Sequence, residues 1–489
     1  MTVWTESLVR LEFGYLFDQP IQGIVWPSSL QHLAFAGVFN QPIDGVAWPV
    51  SLRSLEFGPY FSQAVGDVDW PPSLELLALG GEVEKMLTRD RFWPVSSASG
   101  PLTVSNAAWP ASLKSLTIGS SFNDKVDQIV WPPLLRVLSL SGAFNHPIDG
   151  IAWPPLLRVL VLGDAFTQPV ENTVWPKGLQ KLSFGVFFNE PIDQVVWPDS
   201  LEWLLFGTSF NQPIEGLAWP KSMRQLNFGG AFDQKIDRVS WPPSLLILTF
   251  GNCFNQPIEG VLFPPTLKEL SLSGVAIKRR KPNTYEYSML DSLQAVGIPN
   301  MGQFNHPVDS VAWPDSLLKL NFGDGFDQPI ERVTWPTSLR QLSLGFSFDQ
   351  EMGDVRLPDS LQRLTFGRHF NKPIDKVTWP ADLRHLRFGE AFCRPLQGVA
   401  EWPPRMEEMV LRVSDSNDFD GVKWPPAWYP LVGVRWPPGL RKLTLRAGVS
   451  LEGVELPKGV DIIRVDENGD EIGAHCKDHP MGFLRSSLE

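Results

Sequence analysis

The amino-acid sequence predicts a curved, right-handed repeat solenoid with one parallel β-sheet and an extended, irregular return. Three observations support this fold class. A pattern of about 22 residues recurs through most of the 489-residue chain, each copy contains a short alternation of apolar and polar residues, and each copy carries two prolines. A fixed period of about 20 to 50 residues is typical of solenoids, in which each rung packs only against its neighbours.

The strand of each rung follows the short apolar alternation. In one clearly readable copy, Leu55 and Phe57 alternate with Ser54 and Glu56. A two-residue period places apolar side chains on one face of a β-strand and polar side chains on the other. Gly58 then allows the chain to bend. Because every copy repeats this spacing, we expect the strands to form one parallel sheet on the concave face.

The turn after each strand carries a short polar residue next to an inward-facing phenylalanine. Side chains of asparagine and aspartate hydrogen-bond to backbone groups that a tight turn leaves unpaired. Stacking of the rungs therefore predicts a ladder of these side chains along the turns. Its predicted members are Asp18, Asn40, Asn123, Asn145, Asn189, Asn211, Asp233, Asn255, Asn305, Asp327 and Asn371.

The return segment of each rung contains two prolines, Pro42 and Pro49 in the same copy. Proline has no backbone N–H and is therefore excluded from a central strand. This disfavours a β-helix with three sheets. Ile43, Val46 and Trp48 are the expected inward residues of the return, and the last two are candidates for a second short strand.

A tryptophan precedes the second proline in most copies. A residue present in nearly every rung is most often part of the core, so we interpret these tryptophans as a buried ladder. Exposed tryptophans would instead provide platforms for sugars. The predicted ladder comprises Trp26, Trp48, Trp70, Trp109, Trp131, Trp153, Trp175, Trp197, Trp219, Trp241, Trp313, Trp335, Trp379 and Trp402.

The repeat resembles that of a known family. Its Leu-x-x-Leu-x-Leu/Phe core is that of leucine-rich repeats, and Gly-x-x-Phe-Asn-Gln-Pro-Ile followed by Pro-x-Ser-Leu is similar to the FNIP-repeat subclass. The resemblance covers roughly residues 4–460, with Trp before Pro where FNIP repeats usually carry Ile. It implies a leucine-rich-repeat solenoid used for protein binding and carries over no catalytic residues.

The predicted domain organisation is one solenoid over residues 1–460, followed by a C-terminal cap and tail over residues 461–489. Two irregular insertions interrupt the repeat, near residues 82–105 and 276–303. The first is interpreted as a degenerate rung, and each insertion contains a segment whose composition predicts a short helix.

The C-terminal cap is predicted from Asn468 and Gly469, which form a favoured two-residue turn of a β-hairpin. Such a hairpin would cover the sheet edge that the last rung leaves open. The N-terminal sequence offers no comparable cap. We therefore expect a longer parent chain, a covering partner or self-association through this edge.

Composition and charge exclude several function classes. The formal net charge of −12 argues against a non-specific nucleic-acid binder. The sequence has neither an apolar run long enough to span a membrane nor a signal-like N-terminus. The three cysteines, Cys253, Cys393 and Cys476, do not form a disulfide framework, so we expect a cytoplasmic location. The run Lys278–Lys281 resembles a nuclear-import signal, although a solvated loop is the favoured interpretation.

No catalytic residue, cofactor or metal site is predicted. His475, Cys476 and His479 offer three ligands without a fourth, and the two adjacent ones would point apart on a strand. The acidic segment from Asp466 to Asp470 lacks the spacing of a calcium loop. No Ser/His/Asp set, phosphate-binding loop or carboxylate pair recurs with convincing spacing, so we do not predict an enzyme.

Two lines of charge recur along the array. Solubility is the favoured interpretation of the acidic line, and cation binding is a weaker one. The basic line, which follows the first leucine of each rung, comprises Arg53, Lys114, Arg136, Arg158, Arg224, Lys268, Arg340, Arg384 and Arg441. The acidic line, on the return, comprises Asp44, Asp149, Glu171, Asp193, Glu215, Asp237, Glu259, Asp309, Glu331 and Asp375.

The candidate interaction site lies on outward strand positions where apolar residues replace polar ones. Contiguous exposed apolar residues usually mark an interface, and we expect these residues to form one patch on the concave face. Beyond the patch the face becomes basic, which suits an acidic partner segment. The apolar members are Val137, Val159, Val161, Trp203, Leu205 and Ile247, and the basic members are Lys319, Arg363, His385 and Arg387.

These features predict a non-enzymatic protein–protein recognition scaffold that binds its partner on the concave face. Two alternatives belong to other classes: a carbohydrate-binding protein, and a structural spacer that self-associates end to end. Exposure of the tryptophans would favour the first alternative. A molecular mass that rises with concentration would favour the second.

Overall fold

The computed structural model describes residues 4–80, 102–104, 107–119, 121–140, 142–273, 302–411, 431–446, 449 and 451–465. These residues contain nineteen short β-strands and no helix. The chain divides into two compact units, Met1–Phe326 and Asp327–Glu489. Each unit is a stack of rungs that are built as the repeat pattern predicts.

The first unit contains thirteen strands, each of which pairs in parallel with the next. They are β1 (Arg10–Phe13), β2 (His32–Phe35), β3 (Ser54–Phe57), β4 (Leu76–Leu79), β5 (Ser115–Ile118), β6 (Val137–Leu140), β7 (Val159–Leu162), β8 (Lys181–Ser183), β9 (Trp203–Leu205), β10 (Gln225–Asn227), β11 (Ile247–Thr249), β12 (Glu269–Ser271) and β13 (Lys319–Asn321). The second residue of each strand is a buried or nearly buried leucine. None of these strands contains proline, as predicted.

The second unit contains six strands with the same parallel pairing. They are β14 (Gln341–Ser343), β15 (Arg363–Thr365), β16 (His385–Phe388), β17 (Glu408–Leu411), β18 (Lys442–Arg446) and β19 (Asp461–Val465). Because β19 pairs in parallel with β18, the sheet continues past the predicted boundary at residue 460. The predicted hairpin turn lies outside the described residues.

The strands on either side of each insertion pair directly. Leu76 of β4 is in register with Ser115 of β5, and Glu269 of β12 is in register with Lys319 of β13. The predicted degenerate rung therefore adds no strand between β4 and β5. Most of both insertions, including their predicted helices, lies outside the described residues.

The core of each rung is a cluster of aromatic rings that stacks on the next rung. Phe184, at the end of β8, lies 4.0 Å from Phe188 in the turn and packs edge-on against Trp175 at 6.3 Å. Trp175 stacks on Trp197 of the next rung at 6.0 Å. Ten of the fourteen predicted ladder tryptophans are only 5–9% exposed, and the other four are partly buried. The prediction of a buried tryptophan ladder is confirmed.

The return segment forms no second sheet in the described residues, so the strand predicted at Val46 and Trp48 is wrong. The rings of Trp26 and Trp48 are 6.3 Å apart, wider than the spacing of about 4.8 Å at which strands pair. The backbone N–H of Trp48 bonds instead to the carbonyl oxygen of Val46 in the same rung, at 3.1 Å. Because rungs are closer at the sheet than at the return, the sheet lies on the inner side of the local curve.

The predicted ladder of Asn and Asp side chains is present along the turns. The Oδ1 atom of Asn211 accepts the backbone N–H of Asp233 in the next rung at 2.9 Å, and Asp233 does the same for Asn255 at 2.8 Å. The glutamine that follows completes the clamp: Gln234 donates to Asn211 Oδ1 at 2.9 Å and to the Asn211 carbonyl oxygen at 3.0 Å. The glutamine contacts were not predicted.

A second ladder, also not predicted, forms where the chain enters those strands that a serine precedes. The hydroxyl of Ser222 donates to the carbonyl oxygen of Leu201 in the preceding rung at 2.7 Å. Ser51 and Ser360 make the same bond to Leu30 and Leu339. This explains the serine of the Pro-x-Ser-Leu motif as a donor that joins neighbouring rungs.

Candidate interaction face

The solvent side of the sheet in the first unit, here called the strand face, consists of two outward columns of side chains. The first and third residues of each strand supply them. In-register pairing places Val137 directly beside Val159, and Val161 beside Ser139. These three valines, the valine patch, are half-buried and lie on adjacent strands. These three predicted residues are therefore neighbours on the sheet.

Polar residues separate the other predicted apolar residues from the valine patch. Lys181 lies between Val159 and Trp203 in the first column, and Gln225 lies between Trp203 and Ile247. The expectation of one continuous apolar patch is wrong, because an in-register sheet brings only consecutive rungs together and these two rungs carry polar residues. Trp203 and Ile247 are each half-buried and isolated in their column.

The column supplied by the third residue of each strand presents little surface around Leu205. Leu205 is 7% exposed, and its column neighbours Asn227 and Thr249 are 6% and 8% exposed. A leucine covered to this extent contributes almost no contact area to a partner. Of the predicted apolar members, Leu205 is therefore the weakest candidate for a contact residue.

A run of basic side chains lies directly beside the valine patch. Lys114, Arg136 and Arg158 occupy consecutive rungs, and their backbones are joined by N–H···O bonds of 2.8 and 2.9 Å. All three are exposed, and the two arginines immediately precede Val137 and Val159. Sequence analysis placed them in the basic line but not in the site. Their position in the sequence, next to the outward valines, could have assigned them to the site.

Glu75 interrupts the basic line and neutralises part of it. The side chains of Lys114 and Arg53, from the rungs on either side, each approach a Glu75 oxygen to 2.7 Å. The hydrogen bond from Lys114 holds the pKa of Glu75 below its usual range against a smaller opposing effect of burial, and Arg53 adds to the lowering. No ion pair among the described residues involves Arg136 or Arg158.

The predicted basic members are divided between the two units. Lys319 lies on β13 of the first unit, where its Nζ atom is 2.5 Å from Glu269 Oε1. Arg363, His385 and Arg387 lie on β15 and β16 of the second unit, with Arg363 in register with His385.

His385 also has an acidic partner, since its Nδ1 atom is 3.0 Å from Glu408 Oε2. Partial burial alone would raise the pKa of Glu408, but the hydrogen bond from His385 and the nearby Lys442 outweigh it and hold the pKa below its usual range. Part of the positive charge predicted for a partner is therefore balanced within the second unit.

A shallow groove in the second unit gathers further basic residues, including two members of the basic line. Arg384, Arg405, Arg441 and Lys458 line it together with Glu407. The Arg384 guanidinium is 2.7 Å from Glu407, and Arg405 pairs with Asp382. Much of the groove's charge is thus held in internal ion pairs.

The part of the chain that the structure describes shows neither a cluster of candidate metal ligands nor a candidate membrane-spanning helix. No group of three or more His, Cys, Asp or Glu side chains is placed to hold a metal ion there. Cys253 and Cys393 are free thiols, and burial raises the pKa of Cys253. Among the described residues, no helix long and apolar enough to cross a bilayer occurs.

The parallel strands, the buried leucines and the ladders between rungs define a leucine-rich-repeat solenoid. Similar solved structures support this class. A crystal structure described as CroV588, a novel circular leucine-rich-repeat protein, superposes with a TM-score of 0.60 at 28% identity, covering 95% of this chain and 70% of that one. The structure of a TLR13–ssRNA13 complex superposes with a TM-score of 0.54 at 16% identity, covering 94% of this chain and 64% of that one, which shows likeness of fold alone.

The repeats in residues 144–275 and 304–391 match the model of a known repeat family. The model of the family described as FNIP Repeat matches residues 144–187, 168–209, 188–231, 210–253, 232–275, 304–347 and 348–391. The resemblance predicted from the sequence is confirmed. A search of curated protein sequences finds no match.

Proposed function

We propose that this chain is a non-enzymatic protein-recognition scaffold whose strand face binds an acidic segment of a partner protein. The observation that carries the proposal is the position of exposed Arg136 and Arg158, each of which immediately precedes a strand that carries the valine patch. Apolar contact area beside unbalanced positive charge suits a segment with apolar and acidic side chains. The solenoid class agrees with this use, since stacked rungs present extended binding surfaces.

Trp203 extends the proposed contact beyond the valine patch. It lies two strands from Val159, about 10 Å away at the usual strand spacing. Half-buried tryptophans are favoured anchors in protein interfaces. The intervening Lys181 is exposed and supplies another positive charge for the same acidic segment.

The test is affinity capture from an extract of the source organism, followed by titration of each captured protein with the purified chain. The binding variant is Val137→Ser/Val159→Ser/Trp203→Ala. The control is Val25→Ser, which changes an exposed valine on the return segment. We expect a captured partner to bind the wild type and the control equally and the binding variant at least about tenfold more weakly.

Equal binding by the variant and the wild type would refute the proposed site. Capture of a glycan instead of a protein would favour the carbohydrate-binding alternative, for which Trp203 offers a partly exposed ring. A mass that rises with concentration in light scattering, with no captured partner, would favour the structural spacer. In either case the proposal of a protein-recognition scaffold would be rejected.

A further inference from the structure

The return side of the first unit carries two columns of exposed side chains, one acidic and one mainly apolar. Together they are called the return strip. Each acidic residue precedes its apolar counterpart by three positions. The acidic column is Asp149, Glu171, Asp193, Glu215, Asp237 and Glu259, and the second column is Ala152, Val174, Val196, Ala218, Ser240 and Leu262.

The apolar column is solvent-exposed to an unusual extent. Val174, Val196 and Leu262 have 76%, 81% and 81% of their surface accessible. Each lies between two inward residues of the return, such as Val195 and Trp197 around Val196, so it must point outward. Single exposed apolar residues are ordinary, but the four consecutive rungs from Ala152 to Ala218 form a continuous apolar surface, which Ser240 separates from Leu262. Such a surface usually has a partner.

The acidic column runs beside this surface at regular spacing. Stacked rings of the return, such as Trp175 and Trp197, are 6.0 Å apart, and the acidic residues recur with the same 22-residue period. This spacing is shorter than the screening length of about 8 Å at physiological salt, so the charges reinforce one another. No ion pair among the described residues involves Glu171, Asp193 or Glu215.

An ion pair involves the acidic column near one end of the strip. Arg238 lies 3.9 Å from Asp237, and Lys235 belongs to the same rung. Lys177 and Lys221 follow the Trp-Pro of their rungs, beyond the apolar column. The rungs of Glu171 and Asp193 therefore each combine a carboxylate outside the ion pairs with a strongly exposed valine.

This combination selects among possible occupants. Anionic lipid and nucleic acid would be repelled by the acidic column, and a second copy of the strip would meet like charge. A basic segment with apolar side chains satisfies both columns. In an extended strand, alternate residues recur about every 6.6–7 Å, close to the rung spacing, and successive side chains point to opposite sides.

We propose that the return strip binds an extended segment of a partner protein in which basic residues alternate with apolar ones. Each basic side chain would face one carboxylate of the acidic column, and the apolar side chains would cover the valines. The site is distinct from the strand face, and the inference does not depend on the function proposed for that face.

The test measures binding of a fluorescein-labelled peptide of five Lys-Val repeats to the full chain by fluorescence anisotropy. One variant, Glu171→Gln/Asp193→Asn/Glu215→Gln, removes charge, and another, Val174→Ser/Val196→Ser, removes apolar surface. Val25→Ser is the matched control, because Val25 is 85% exposed at the same repeat position but has Gln22 in place of the acid. All substituted residues are exposed, and circular dichroism will confirm that each variant is folded.

We expect saturable binding that weakens at least about tenfold in each strip variant and less than about twofold in the control. Binding unaffected by Val174→Ser/Val196→Ser would overturn the proposal, since charge alone would then explain it. Absence of binding, or equal binding of a peptide of five Glu-Val repeats, would also overturn it. Sedimentation with anionic vesicles, or self-association that the strip variants abolish, would assign the strip to a membrane or a second copy instead.

Discussion

The side-chain oxygen of Asn211 accepts the backbone N–H of Asp233, one rung further along the chain, at 2.9 Å. The same oxygen accepts a bond from Gln234, so one atom joins two groups of the neighbouring rung. The turns, unlike the strands, have no sheet to pair their backbone. The side-chain ladder performs that function and holds the rungs in register.

Removing one member of this ladder should destabilise the first unit. Asn211→Ala leaves the Asp233 N–H and the Gln234 amide without this acceptor, which should lower the free energy of unfolding by about 1–3 kcal/mol. Asn211→Asp keeps the acceptor, as Asp233 does in the next rung, and should cost much less. Urea unfolding of both variants measures the difference, and equal losses would contradict the ladder's role.

Gly207, two residues after β9, should be intolerant of any side chain. A Cβ atom at Gly207 would overlap the carbonyl oxygen of Gly185 in the preceding rung, so the rungs would have to separate. Gly207→Ala should lower the free energy of unfolding by more than about 2 kcal/mol. At Gly178 the nearest atom would be 3.7 Å from the new Cβ, so Gly178→Ala is the control and should change stability by less than about 1 kcal/mol.

Two tryptophans six positions apart should respond very differently to substitution. Trp197 belongs to the ladder and is 7% exposed, whereas Trp203 is half-buried on the strand face. Trp197→Leu should lower the free energy of unfolding by about 2–4 kcal/mol because it leaves a cavity between stacked rings. Trp203→Leu should cost less than about 1 kcal/mol. Thermal or urea unfolding distinguishes them, and similar losses would show that Trp203 is a core residue.

Asp164 should make stability depend on pH. Burial raises the pKa of Asp164 to about 6 in the folded chain, against a smaller opposing effect of the Val186 N–H, while the unfolded value is 3.8. In the folded state Asp164 therefore keeps its proton to a higher pH than in the unfolded state. The free energy of unfolding should fall as pH rises from about 4 to 6, by at most about 3 kcal/mol. Asp164→Asn should remove this fall and raise stability at pH 7.

Urea unfolding measured as a function of pH tests whether stability falls as predicted. The exposed Asp199→Asn serves as control and should leave the profile between pH 4 and 6 unchanged. A wild-type stability that rises across this interval, or an Asp164→Asn variant that still shows the fall, would contradict the assignment to Asp164.

Much of the candidate site could be read from the repeat spacing. The 22-residue period correctly placed Val137 beside Val159, and it equally places Lys181 between Val159 and Trp203. The error about a continuous patch came from grouping the apolar residues without aligning every rung. The burial of Leu205 could not be read from the repeat spacing, because the exposure of an outward side chain depends on the bulk of its neighbours in three dimensions.

By itself, the sequence determined the rung: its strand, its inward leucine, phenylalanine and tryptophan, and the Asn/Asp ladder. A strict period forces equivalent residues to stack, so one repeat predicts all of them. The tertiary structure decided where that rule stops. It showed that β4 pairs directly with β5 across an insertion, that the return is too widely spaced for a second sheet, and that Val196 lies exposed beside Asp193. These features depend on distances between rungs and on side-chain cover, which periodicity does not contain.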